Sequence, residues 1–290
     1  MKKFVLSVFT LVFAVSFSLA QSNDATVEQV GNSNKSDVSQ KGGSNIAEVY
    51  QGDGASVPSA LPHDNNRSLV EQKGASNTQF VLQIGDNHIA EQKQNGNGNT
   101  ASINLQLDYG TQPSRNNKGT QTQKGNNNTA SMTQQGERNT ADQWTEGHGN
   151  NASFNQFGSY NRATQSQDGN TNKARADQIG NRNVADLVQR GGNNNEFGAR
   201  QSGNNNTYDA KQDGSGNTSG SGVAEANAGI FQLGDNNRAM LLQQGNGNDS
   251  VINQKQDGNN ADVTQKGNAH TSSVLQTGSG NRSVVQQSNN

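Results

Sequence analysis

From Gln123 to Gln189 apolar and polar residues alternate within a unit of eleven residues, repeated six times without insertion or deletion. Each copy reads Gln-x-Gly-x-x-Asn-x-Ala-x-x-x and then the next Gln. Extending that frame in both directions places twenty-two units between residues 23 and 287, whose final positions run from Gln29 to Gln287; only Leu105 and Thr145 break the Gln rule. Two positions before the Gln stand Val27, Val38, Val49, Val70, Val81, Ile103, Met132, Phe154, Leu187, Ile230, Leu241, Ile252, Val263, Val274 and Val285, and Ala176, Ala199 and Ala210 bring the apolar units to eighteen. Four before it, thirteen units carry Ala and five carry Ser. These three positions share one parity, so in an extended chain they share one face. The intervening residues, such as Asp37, Glu48, Ser131, Asp186 and Asp262, are mostly polar. Period-two alternation with an apolar inner face predicts a strand in every unit.

The five residues between strands, such as Lys124-Gly125-Asn126-Asn127-Asn128, predict tight turns, because Gly accepts positive φ at no steric cost and Asn tolerates the left-handed region. A strand and a turn every eleven residues leave no room for helix, and Gly and Asn at this density disfavour it. Self-similarity at a short fixed period is the signature of a solenoid. The expected fold is therefore all-β: a solenoid of about 22 short strands, two per rung, in cross-β stacking, with no helix beyond an N-terminal leader. Eleven rungs at roughly 4.8 Å make a column about 53 Å tall.

Stacking places like residues above one another. The expected structural ladders are Gln123, Gln134, Gln156, Gln167, Gln178 and Gln189, with Asn128, Asn139, Asn150, Asn161, Asn172 and Asn183, whose amides donate upward and accept from below. Gly125, Gly136, Gly147, Gly158, Gly169 and Gly180 are the expected turn glycines. The Asn position is filled in nineteen units; His88, Ala226 and His270 are the exceptions. Insertions near 52–65, 108–116 and 219–227 read as longer turns, the first two on one edge of the column and the third, after strand sixteen, on the other. An extra residue at Gly191-Gly192 lengthens one unit to twelve.

Composition narrows the function. Only 28% of residues are apolar, and the net charge of −2 argues for neither nucleic acid nor an anionic membrane as partner. Low hydrophobicity with low charge and abundant Asn and Gln points to cross-β structure rather than disorder. Met1-Lys2-Lys3, the apolar run Phe4 to Leu19 and the small residues Ser18-Leu19-Ala20 predict a secretory signal peptide over residues 1–20, with the repeat region over 21–290 and no stable membrane anchor. Its removal leaves 20 basic and 24 acidic side chains, net −4. There is no Cys, hence no disulfide and no thiol chemistry. His63, His88, His148 and His270 are scattered, so no metal or catalytic cluster, no cofactor and no enzymatic activity is expected. Outward apolar residues gather at Phe231, Met240, Leu242, Val251, Leu275 and Val284, with Leu69, Phe80 and Leu82 as a smaller group, and suggest a lateral contact.

Gln123-Lys124-Gly125-Asn126-Asn127-Asn128-Thr129-Ala130 with Gln134, and Gln178-Ile179-Gly180-Asn181-Arg182-Asn183-Val184-Ala185 with Gln189, resemble the repeat of the curlins, subunits of curli fibres on bacterial surfaces. Here every half-repeat carries the motif. The resemblance implies a two-strand-per-rung solenoid that polymerises end to end into functional amyloid of the biofilm matrix, serving adhesion and surface colonisation outside the cell. It further implies a curli-type nucleator subunit and an outer-membrane secretion pore as partners. Two functions remain in view at this point, a fibre subunit and a monomeric solenoid adhesin or ligand-binding surface protein. The first strand begins three residues after the expected cleavage site and the last ends at Gln287, without a capping segment, which favours the fibre.

Overall fold

A computed structural model describes residues 22–52, 63–106, 114–220 and 229–289; the expected signal peptide lies outside them. Over these residues the chain is all-β, with no helix and 23 strands in two parallel sheets that wind into a solenoid of eleven turns. The first four strands set the rule. β1 (Asp24–Gln29) pairs with β3 (Ile46–Gln51), and β2 (Lys35–Lys41) pairs with β4 (Arg67–Lys73), both in parallel. The chain therefore lays one strand in each sheet per turn. Equivalent positions stack without slip: Val27 opposes Val49 and Gln29 opposes Gln51.

Alternation places the inner triplet between the sheets and leaves the other face in water. In β9 (Thr129–Glu137) Ala130, Met132 and Gln134 are buried while Thr129, Ser131 and Thr133 are not. One apolar core runs from Ala47 to Val274. Its composition shifts along the axis. In β15 (Glu196–Ser202) and β16 (Thr207–Asp213), Phe197 and Tyr208 fill the position that is usually Ala, and Ala199 and Ala210 fill the neighbouring position that is usually larger. The two changes exchange volume within a rung, and the rings meet at 5.8 Å, tilted by 45°. Burial pushes the Tyr208 phenol far above its ordinary ionisation range.

Two of the expected insertions lie largely outside the described residues: 53–62 separate β3 from β4 in sequence, and 107–113 separate β7 (Thr100–Gln106) from β8 (Lys118–Asn126). The third insertion departs from expectation. Residues 220–228 interrupt a strand, leaving β17 (Thr218–Ser219) and β18 (Ile230–Leu233), both paired with β15 and with β20 (Asp249–Lys255). Asn217, not Ala226, occupies the Asn position, its N–H donating to Asn195 Oδ1 at 3.0 Å, and Ser219 opposes Phe197 at the Ala position. The turn explains the choice. Gly214-Ser215-Gly216-Asn217 supplies the required Gly, with φ of 118° at Gly214 and 64° at Gly216, whereas no Gly stands three residues before Ala226.

The stack is least covered at its two ends. All six residues of β1 are exposed, Val27 by 45%, and the inner residues of β23 (Arg282–Ser288) are only half-buried.

Candidate assembly interface

The Gln side chains form two axial chains of hydrogen bonds. In the first sheet Gln29 Nε2 donates to Gln51 Oε1 (2.6 Å) and Gln51 to Gln83 (2.7 Å). The chain resumes through Gln134, Gln156, Gln178, Gln201, Gln232, Gln254 and Gln276 at 2.6–2.9 Å. In the second sheet Gln40, Gln72, Gln94 and Gln123 are joined, and then Gln167, Gln189, Gln212, Gln243, Gln265 and Gln287. Every bond runs from Nε2 of one rung to Oε1 of the next. The remaining Nε2 hydrogen crosses the core to the carbonyl that opens the preceding strand: Gln134 to Lys118, Gln156 to Thr140, Gln178 to Arg162, Gln189 to Lys173. One side chain thus ties its rung to the next and one sheet to the other.

The two exceptions mark where the chains break. Leu105 offers no amide, and Gln134 Oε1 is buried without a partner; Thr145 leaves Gln167 Oε1 in the same state, together with its own hydroxyl.

The Asn positions work differently from the expected amide-to-amide ladder. Asn128 Oδ1 accepts the backbone N–H of Asn150 at 3.0 Å, and its Nδ2 donates to the Gly147 carbonyl at 2.9 Å. Asn139, Asn150 and Asn161 hold the following turn in the same two ways, and Asn172 and Asn183 likewise. Side-chain amides meet directly at only some rungs, such as Asn77 with Asn45. A short side chain at a turn reaches the backbone of the next rung more readily than its neighbour's amide.

This explains the glycines. Gly125, Gly136, Gly147, Gly158, Gly169 and Gly180 have φ between 98° and 120°. A Cβ on Gly125 would stand 2.1 Å from the Gly147 oxygen, the acceptor that Asn128 uses. The residue just before each ladder Asn is the left-handed one, as at Asn127 (φ 56°).

Sequence reasoning missed two further columns. Gln92, Gln121, Gln143 and Gln165 are the four units without an apolar residue, and they occupy consecutive rungs of one sheet. They are buried and joined by amide bonds of 3.0, 2.8 and 3.2 Å. The signal was their recurrence in every second unit. The residue after each turn Gly forms the other column: Asn170 Oδ1 accepts the N–H of His148, and Asp235 Oδ1 that of Asn204.

Two His replace Asn in the turns. His88 is fully buried; its Nδ1 accepts the Asn117 N–H at 3.2 Å and its Nε2 faces the Ile84 carbonyl at 3.2 Å, so the proton sits on Nε2. Burial, opposed by these backbone bonds and joined by the charge of His63, holds its pKa down at about 4. His270 Nε2 faces the Lys266 carbonyl in the same manner. His63 is also buried, its Nδ1 accepting the Gly85 N–H, while His148 is exposed. Among the described residues no group of three or more His, Cys, Asp or Glu could hold a metal ion.

The curlin associated repeat model matches residues 20–52, 224–255 and 257–288. These three stretches are similar to curlin associated repeats. The matched stretches of the chain include β1, β2 and all of β23, strands at both ends of the column. No curated protein matches it. At the first rung Gln29 and Gln40 donate onward, and among the described residues nothing donates to their Oε1 atoms; at the last, Gln276 and Gln287 accept and have no rung beyond them. The first rung therefore presents two acceptors; at the last rung Gln287 Nε2 donates once, to the Thr271 carbonyl, and keeps a second hydrogen, whereas Gln276 Nε2 donates to both the Asn260 carbonyl and Ser283 Oγ. The outward apolar residues divide. Leu275 and Val284 are exposed by 67% and 52%, whereas Phe231, outward by register, is only 6% exposed and offers no surface.

Proposed function

We propose that the protein is a secreted subunit that polymerises end to end into curli-like amyloid fibres of the extracellular matrix, supporting biofilm and adhesion. The observation that carries this reading is the match between the two ends. β22 (Thr271–Thr277) presents Ser272, Val274 and Gln276 at the positions where β1 presents Ala25, Val27 and Gln29. β23 presents Ser283, Val285 and Gln287 where β2 presents Ser36, Val38 and Gln40. A second copy placed on the last rung continues both sheets with unchanged register, converting unpaired strand edges into ladders. The Gln, Asn and Gly positions are the interface residues of this reading, since each acts on the rung beyond its own. A nucleator subunit and an outer-membrane pore are the partners it calls for, with the signal peptide as the route out.

Purified mature protein is expected to convert to thioflavin-positive fibres with a 4.7–4.8 Å meridional reflection. A monodisperse monomer persisting through prolonged concentrated incubation overturns the proposal in favour of a monomeric surface protein.

A further inference from the structure

The outer faces of the two sheets are charged unequally, and only over the first four rungs. Counting outward positions from each strand start to the residue after the ladder Gln, the second sheet carries seven Lys and Arg against three carboxylates in β2, β4, β6 (Ile89–Asn95) and β8. The first sheet carries Asp24, Glu28 and Glu48 and no cation in β1, β3, β5 (Thr78–Gln83) and β7. The column thus has a face of net +4 opposite a face of net −3 at the same height. Over the remaining seven rungs the described residues come close to balance: six cations against seven carboxylates on the second sheet, four against three on the first.

The basic face is only partly neutralised from within. Lys41 stacks directly on Lys73 in the parallel register, and among the described residues neither is in an ion pair, although Lys35, Lys93 and Lys124 on the same face are paired with Asp37, Glu71 and Glu146. Like charges directly opposed across a ladder destabilise it. A placement that opposes folding without local compensation points to a role outside the molecule.

We infer that these bands are a side-by-side docking surface for a second copy of this chain, the basic face of one column meeting the acidic face of its neighbour. The complement is present on the same molecule at the same height, so columns running in the same direction bring opposite charges level. The inference rests on the fibre reading, because exposed ion pairs are individually weak, near 0–1 kcal/mol, and screened by salt. In a fibre the bands recur about every 53 Å, once per eleven rungs, and multivalency makes the contact effective.

Fibres of the mature chain are compared by electron microscopy and turbidity, with thioflavin recording fibre formation separately. Wild-type fibres are expected to bundle at low salt and to separate in 1 M NaCl, where the Debye length is about 3 Å. Fibres of Lys41→Glu/Lys73→Glu and fibres of Glu28→Lys/Glu48→Lys are each expected to stay single, and a mixture of the two preformed fibres to bundle again. Undiminished bundling by either variant, or a mixture that stays single, overturns the inference. Loss in the basic-face variant alone also overturns it, since the basic face then binds some other polyanion. If wild-type protein forms no fibres at all, the fibre reading falls and takes this one with it; fibres that never bundle defeat only the docking surface.

Discussion

At the scale of single residues, the cost of a buried amide depends on whether it is passed along. A Gln in mid-column gives one hydrogen forward and one across, and its oxygen is satisfied from behind; at Leu105 and Thr145 this transfer stops. Replacing Thr145 by Gln removes an unpartnered hydroxyl and supplies the donor that Gln167 Oε1 lacks. It is expected to stabilise the column by about 1–3 kcal/mol, read as a higher guanidinium midpoint. Gln156→Leu runs the other way: it orphans Gln178 Oε1 and the Thr140 carbonyl and is expected to cost a similar amount. His88 adds a dependence on pH. Its folded pKa of about 4 lies below the ordinary 6.5, so the unfolded chain binds the proton first. The resulting stability is full above pH 6.5 and is lost as pH falls toward 4, about 3 kcal/mol in all, with no further loss from this group below that. His63 and Asp86 lie in the turns around it, Asp86 paired with Arg115 at 3.4 Å. In His88→Asn, which restores the usual turn residue, this part of the pH dependence between 4 and 6.5 is expected to disappear from denaturation midpoints.

At the scale of the element, strand, turn and inner triplet were legible in sequence because each obeys a local rule repeated many times: parity for the strand, Gly for the turn. What was not legible depended on which residues lie beside each other across turns. The Gln92 to Gln165 column looked like four failures of the apolar rule until alternate units were seen to share a sheet. The exchange of Phe197 and Tyr208 with Ala199 and Ala210 likewise has meaning only within one rung. The split strand was misplaced because counting back from Gln232 ignored the intact turn signal at Gly214-Ser215-Gly216-Asn217. Deleting residues 220–228 would join Ser219 to Gly229 as one continuous strand, and is expected to leave the melting temperature unchanged or raised. A large fall would show that the interruption itself supports the fold. Turn glycines separate into two kinds. Gly125→Ala combines a forbidden φ with a contact of 2.1 Å to backbone and is expected to cost more than about 2 kcal/mol in the same melt, whereas Gly149, left-handed at φ 65° with only Thr171 Cγ2 nearby at 3.5 Å, is expected to accept Asn without loss.

At the scale of the molecule, near-identical rungs create an ambiguity: a slip of one rung would preserve most strand pairs. The irregular positions remove it, because a slip would set Gln92 to Gln165, the bulky pair at Phe197 and Tyr208, and Gly119 facing Met132 across the core against the wrong partners. At the ends no such markers occur; both close on Val and Gln in plain motif, so a joint between copies imposes no new core. If the ends are the polymer interface, charging one end should stop growth without unfolding the column. Val27 and Val38 meet the rest of the core only through the second rung, and Val27 is already 45% exposed. Val27→Asp/Val38→Asp is therefore expected to keep its β-sheet circular dichroism while failing to form fibres alone. An added copy would bury both carboxylates without counter-ions, which costs several kcal/mol. The opposite end of the variant is unaltered, so it should still dock onto the first rung of a wild-type fibre and leave a face that accepts nothing further. Substoichiometric variant is thus expected to shorten wild-type fibres by blocking one end. Fibres of unchanged length at equal amounts of variant and wild type would place the polymer contact somewhere other than the ends of the stack.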